Sequence, residues 1–217
     1  MKFKTPYISD EEGKELKERF IKIFTEFIIP AYKGADQLLD WIKQTDFFEA
    51  PASTMYHNCC KYGLLKHSLN VYDRLLKLIK AEYGDEYYDA LGVDAADVAM
   101  IALCHDLCKA NCYSVEQRNT KDKDDKWIKV DFYKYSPAFE YGHGEKSVFI
   151  IQNFIQGLSL NVALAIRFHM GAAGGGGSRE KDDNALKEME NFPIIMWTNF
   201  ADMAATYLDE SREPEEE

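Results

Sequence analysis

Apolar residues recur along this chain at intervals of three and four, resolving into helices separated by short polar or irregular stretches. Ser9-Asp10-Glu11-Glu12 reads as a helix N-cap with acidic residues in the first turn. Leu16, Phe20, Ile23, Phe24, Phe27 and Ile28 then keep helical spacing until Pro30, where this helix is expected to stop. A short helix is expected around Ala35 to Gln44, and Pro51 makes Phe47 to Tyr56 irregular. Gly63 to Tyr83 is strongly amphipathic, with Leu65, Leu69, Tyr72, Leu76 and Ile79 stepping by four and three, and Gly84 ends it. Asp94 caps the next helix, expected to run to about Ala110. Val98, Ala99, Ile101, Ala102 and Leu103 make it apolar around most of its circumference, which marks a buried, central helix.

The period changes between Tyr113 and Tyr135. Ile128, Val130 and Phe132 alternate and Lys121 to Lys126 is a polar turn, so a β-hairpin is expected. Helices resume over Glu145 to Gln156 and Leu160 to Met170. The glycine-rich stretch Gly171 to Ser178 reads as a loop, and Pro193 opens a last helix through Leu208. The expected fold class is all-α, a helical bundle with a small β-hairpin insertion. Residues 1–50 would supply helices packing on the core, 51–209 the main domain and 210–217 an acidic tail. The apolar face of the first helix is expected to pack within the chain; self-association through it stays open.

Composition narrows the function. The chain has 217 residues and a formal net charge of −11, with 46% hydrophobic residues, enough for a sizeable core. An acidic chain is a poor match for long duplex nucleic acid, which is gripped by phosphate neutralisation. Asp209 to Glu217 contributes much of the imbalance and reads as a solvated end. No apolar run is long enough for a membrane helix, and the first residues lack the apolar stretch of a signal peptide, so a reducing cytoplasm is expected. Cys104, Cys108 and Cys112 step by four and are read as small packing residues of one helix in preference to a zinc site.

The histidines change the picture. His105 shares a helical face with Val98, Ile101 and Cys108, and Asp106 lies over Ala99, Ala102 and Leu103. His169 shares a face with Val162 and Ile166, Asp202 sits in an apolar stretch of the last helix, and His67 lies on the long amphipathic helix. An ionised carboxylate buried without a partner costs several kcal/mol, and a divalent cation held by imidazoles and carboxylates supplies the compensation. His143 falls between two glycines where a helix begins, and His57 lies in the irregular segment ten residues before His67.

In this order, His67, His105-Asp106, His143, His169 and Asp202 resemble the H…HD…H…H…D pattern of the HD-domain superfamily of metal-dependent phosphohydrolases. The flanking strings are similar too: Tyr62-Gly63-Leu64-Leu65-Lys66-His67-Ser68, Leu103-Cys104-His105-Asp106-Leu107-Cys108-Lys109, and Gly142-His143-Gly144-Glu145-Lys146-Ser147. Cys108 departs from the glycine usual at that position. Within the superfamily, the chain resembles small stand-alone bacterial or phage hydrolases and the HD module of 3′-to-5′ exoribonucleases. The resemblance implies an HD-domain bundle in the cytoplasm of a bacterium or phage-infected cell. It also implies one or two divalent cations (Mn, Mg, Fe, Co, Ni or Zn). His67, His105, Asp106 and Asp202 would hold the first, and His143 and His169 would hold a second or contact phosphate.

The expected chemistry is hydrolysis of phosphate esters of nucleotides or short oligonucleotides by a cation-activated water, with Asp106 and Lys109 as catalytic residues. His57, Lys146, Arg167 and Arg118 are candidates for binding a small phosphorylated substrate. Tyr56, Tyr113 and Tyr141 could stack on a base. Two other readings stand beside this one: a 3′-to-5′ exonuclease on single strands, and a non-catalytic scaffold that binds a nucleotide.

Overall fold

A computed structural model describes residues 6–121, 124–171 and 183–210. The chain is mostly helical, with one two-stranded antiparallel sheet. Ser9 caps α1 (Asp10–Ile23) by accepting from the Glu12 amide at 3.1 Å, as the sequence pattern predicts. Pro30 does not stop this helix. The preceding turn, Phe24–Ile28, widens to π geometry and the Ile29 amide reaches back to the Phe24 carbonyl. The helix absorbs the proline and ends at Ala31. Phe20, Phe47 and Phe48 form a buried cluster of tilted and edge-on rings that pins α1 and α2 (Ala35–Gln44) to the core.

The long helix α3 (Gly63–Tyr83) starts after Tyr62 in a left-handed conformation. Gly63 is needed there, because a Cβ would stand 2.0 Å from the Asn58 carbonyl oxygen. A short helix, α4 (Tyr87–Leu91), leads to α5 (Ala95–Cys104). In α5, Asp94 and Asp97 form a reciprocal capping box, and every residue from Val98 to Cys104 is buried. This is the central helix anticipated from its all-round apolar surface, packed against α3, the π turn of α1 and α7 (Leu160–Arg167).

The expected helix end at Ala110 is wrong. Regular α-helix stops at Cys104, and a 3₁₀ turn, Leu107–Lys109, follows. Cys104, Cys108 and Cys112 therefore do not line one helix side. Strands β1 (Tyr113–Lys121) and β2 (Trp127–Tyr135) form the expected hairpin, with Tyr113 opposite Tyr135 and Lys121 opposite Trp127. It projects from the helical body, and Trp127 is 70% exposed.

Helix α6 (His143–Gln152) begins two residues earlier than expected, and α7 ends at Arg167, before His169. The glycine-rich stretch lies outside the described residues apart from Gly171. Helix α8 (Asp183–Asn191) has no counterpart among the predicted elements, and Pro193 opens α9 (Pro193–Ala204) as expected. A second π turn, Ala205–Asp209, extends α9 to Glu210. None of the described helices is long and apolar enough to cross a membrane.

Candidate metal centre

Five elements converge on Asp106. Because α5 ends at Cys104, His105 and Asp106 leave the helical path, and the His105 side chain turns back on its own helix. Its Nδ1 lies 2.8 Å from the Ala102 carbonyl oxygen, one of the acceptors a helix leaves unpaired in its last turn. His169 repeats the device after α7, with Nδ1 2.7 Å from the Ile166 carbonyl. A carbonyl only accepts, so both rings carry their proton on Nδ1 and present a bare Nε2. His67, within α3, is oriented by a different partner. Its Nδ1 lies 3.1 and 3.2 Å from the two oxygens of Glu210. His143, the first residue of α6, sets Nδ1 3.2 Å from the Cys108 Sγ.

All four rings therefore turn Nε2 toward the Asp106 carboxylate. On its Oδ2 side stand His105 at 3.5 Å and His67 at 3.7 Å; on its Oδ1 side stand His143 at 2.8 Å and His169 at 3.7 Å. Asp202 of α9 closes the first side, 3.1 Å from His67 Nε2. Two close approaches make this possible. Cys108 donates its backbone amide to the buried Ser147 hydroxyl at 3.0 Å, locking α6 to the turn after Asp106. Gly144 lies so near the end of α7 that a Cβ would stand 2.1 Å from the Arg167 carbonyl oxygen, which lets the His143 and His169 rings approach to 5.2 Å.

The electrostatics are those of a site prepared for positive charge. His67 Nε2 and His105 Nε2 face each other at 3.2 Å, with Asp202 beside them. Converging acceptors repel unless a proton or a cation sits between them. Burial disfavours a charged His67, but Glu210 and Asp202 outweigh it and push its pKa up to about 10. Burial likewise opposes protonation of His143, yet Cys108 and Asp106 push it up to about 10. Burial and the neighbouring His105 and His143 push His169 down to about 3, and burial with His67 pushes His57 down to about 4. Despite burial, Lys109 and His105 hold Asp106 well below the usual carboxylate range, and His67 does the same for Asp202.

The Asp106 carboxylate has a cation of its own: Lys109 Nζ lies 2.6 Å from Oδ2. Its burial alone thus does not demand a metal ion. What remains uncompensated is on the imidazoles. His169 Nε2 is buried with no hydrogen-bond partner among the described residues, and so is His57 Nε2. Ligand atoms about 2.0–2.2 Å from one ion stand roughly 3 Å from one another, close to the separations seen here. His67, His105 and Asp106, and separately Asp106, His143 and His169, are groups whose donor atoms could hold a metal ion.

His57 reaches the edge of the cluster, its ring centroid 4.8 Å from that of His67. Other substrate-binding candidates are engaged elsewhere. Lys146 is buried, 3.4 Å from Cys112 Sγ and over the Phe139 ring. Arg167 pairs with Glu145 at 2.9 Å and stacks on Phe168. Arg118 lies over Phe132 on the hairpin. Tyr56 and Tyr141 are exposed, and Tyr113 packs edge-on against Tyr133 and Tyr135.

The clearest correction concerns Glu210, expected to open a solvated tail. It is 6% exposed, bonded to His67 and to Asn70 Nδ2 at 2.8 Å, while its neighbour Asp209 is paired with Arg74. No local pattern announced this. No protein-family model, no curated protein and no solved structure matches this chain. Fold and site together define a mostly helical protein with a buried His/Asp cluster able to hold a metal ion.

Proposed function

We propose that this protein is a divalent-cation-dependent phosphohydrolase acting on phosphate esters of nucleotides or short oligonucleotides, as its resemblance to the HD-domain superfamily implies. The observation that carries this reading is the set of four imidazole Nε2 atoms facing the two oxygens of one buried carboxylate. His67, His105, Asp106 and Asp202 would hold one ion, and Asp106 with His143 and His169 a second. A bound divalent cation acidifies water and neutralises charge on a phosphoryl group.

The chain's own residues supply the rest. Backbone carbonyls fix the protons of His105 and His169 on Nδ1, so neither ring turns to search for a partner. Lys109 keeps Asp106 ionised and, at 14% side-chain exposure, stands on the less enclosed edge with His143 and Asp202. A phosphate entering there would meet the Lys109 ammonium as a point charge. A net charge of −11 favours one small anion captured at such an edge over a long polyanion tracked along a surface.

The test is elemental analysis of the purified protein with Mn²⁺-supplemented hydrolysis of a nucleotide panel. One or two equivalents of metal with phosphate release is the expected result. Metal with turnover only on short single strands would favour the exonuclease reading; neither metal nor turnover after reconstitution would leave a nucleotide-binding scaffold. Cation binding should also displace the proton shared at His67, so Mn²⁺ addition at neutral pH should release about one proton per ion bound there. Binding without proton release would contradict the proposed position of the ion.

A further inference from the structure

Resting on the cation-binding reading above, we infer that Glu210 is a positioning residue that sets the strength of cation binding on the His67 side of the centre. Among the four imidazoles that face Asp106, only His67 has a carboxylate behind it. His105 and His169 rest on neutral carbonyls, and His143 on a thiol. A carboxylate accepting from Nδ1 fixes the tautomer, leaves Nε2 as the ligating atom and makes that nitrogen a stronger donor.

Glu210 is held for this task by three separate constraints. Its amide bonds to the Ala205 carbonyl at 3.0 Å across the π turn, its Oε1 accepts from Asn70, and Arg74 clamps the adjacent Asp209. The carboxylate is thereby carried into the core from the end of α9, and α3 presents both His67 and Asn70 to it.

His57, His67 and Glu210 could in principle form a separate cation site, since their donor atoms lie close together. That arrangement would make His67 Nδ1 a ligand and strip from it the proton Glu210 accepts, while Nε2 already faces His105 and Asp202. A charge-bearing support behind His67 needs no such second deprotonation.

The experiment titrates the full-length chain with Co²⁺ in buffers set by a competing chelator, comparing it with Glu210→Gln, Glu210→Ala and Asn70→Ala. Glu210→Gln, which keeps an acceptor but loses the charge, should weaken the tighter Co²⁺ site about tenfold. Glu210→Ala should weaken it up to about 100-fold and, in the Zn²⁺-loaded chain, shift the His67 ring ¹⁵N resonances. Asn70→Ala, which loosens Glu210 without removing it, should act in the same direction and less; it serves if the Glu210 variants do not fold. Unchanged Co²⁺ affinity in Glu210→Gln and Asn70→Ala, with only thermal stability lowered, would reduce Glu210 to a structural contact and overturn the inference. Loss of one whole equivalent of Co²⁺, with the remaining affinity untouched, would make Glu210 a ligand and overturn it too. Failure of the unmodified chain to bind Co²⁺ would instead remove the cation-binding reading itself.

Discussion

The two sides of Asp106 are built from the same residue types but to different standards. On the Oδ2 side, His67 and His105 stand with Asp202 and Lys109 around one oxygen, and the ring of His67 is backed by a buried carboxylate. On the Oδ1 side there are only His143 and His169, with a thiol and a carbonyl behind them. The first side is assembled from three helices and the chain end; the second depends on one helix start packed against one helix end. A cation should therefore bind the first side more tightly, and the second side should respond more readily to changes in local packing.

Removing the shared carboxylate should erase the distinction. Asp106→Asn is expected to lower hydrolysis by at least about 10²–10³-fold, the scale of losing a principal electrostatic contributor, and to reduce metal content on both sides together. Full activity with a normal metal content would refute the assignment of Asp106. One-sided variants come next. His67→Ala should abolish the tighter binding event in a Co²⁺ titration, whereas His169→Ala should spare it and remove only the weaker one. The reverse order would invert the comparison.

Gly144→Ala should act on the second side alone. Its new methyl meets the Arg167 carbonyl, and the forced shift should cost about 1–3 kcal/mol of stability by thermal unfolding. The weaker Co²⁺ event should fade while the tighter one persists. Cys108→Ala should have the smallest effect, a loss of about tenfold or less in the weaker event, because a thiol is a poor hydrogen-bond partner for His143 Nδ1. A larger loss there than at His169 would show that sulfur does more than orient the ring.

Much of this was legible in the sequence where a local rule governs the outcome. The Ser9 and Asp94 caps, the run from Gly63 to Tyr83, the apolar circumference of α5 and the alternation after Lys126 each depend on neighbours in the chain. So did the convergence of His67, His105, Asp106 and Asp202, since each sits on a buried helical face or helix end. The misses share a different cause. The stop expected at Pro30 failed because a π turn could absorb it, and the expected helix to Ala110 ended early because the His105 ring satisfies a carbonyl of its own last turn.

Glu210 was hidden by its company. Six carboxylates between Asp209 and Glu217 read as a solvated end, and nothing in that composition marks the one that Arg74 and Asn70 draw inward. Lys146 and Arg167 were read as free to meet phosphate, and the structure gives each a partner in the fold.

The π turn at Ala205–Asp209 also has a genetic reading. Such a turn is an α-helix with one surplus residue wound into it, so it is the trace of a single-codon insertion that left the upstream helix undisturbed. Deleting one residue there would restore ordinary helical winding and leave Asp202 where it is. The residues beyond the cut would swing by about 100° around the axis, carrying the Glu210 carboxylate off His67. For this protein the reading frame of one helical turn is thus a specification of the site, and an alignment gap at that spot would separate chains that keep the support from chains that lack it.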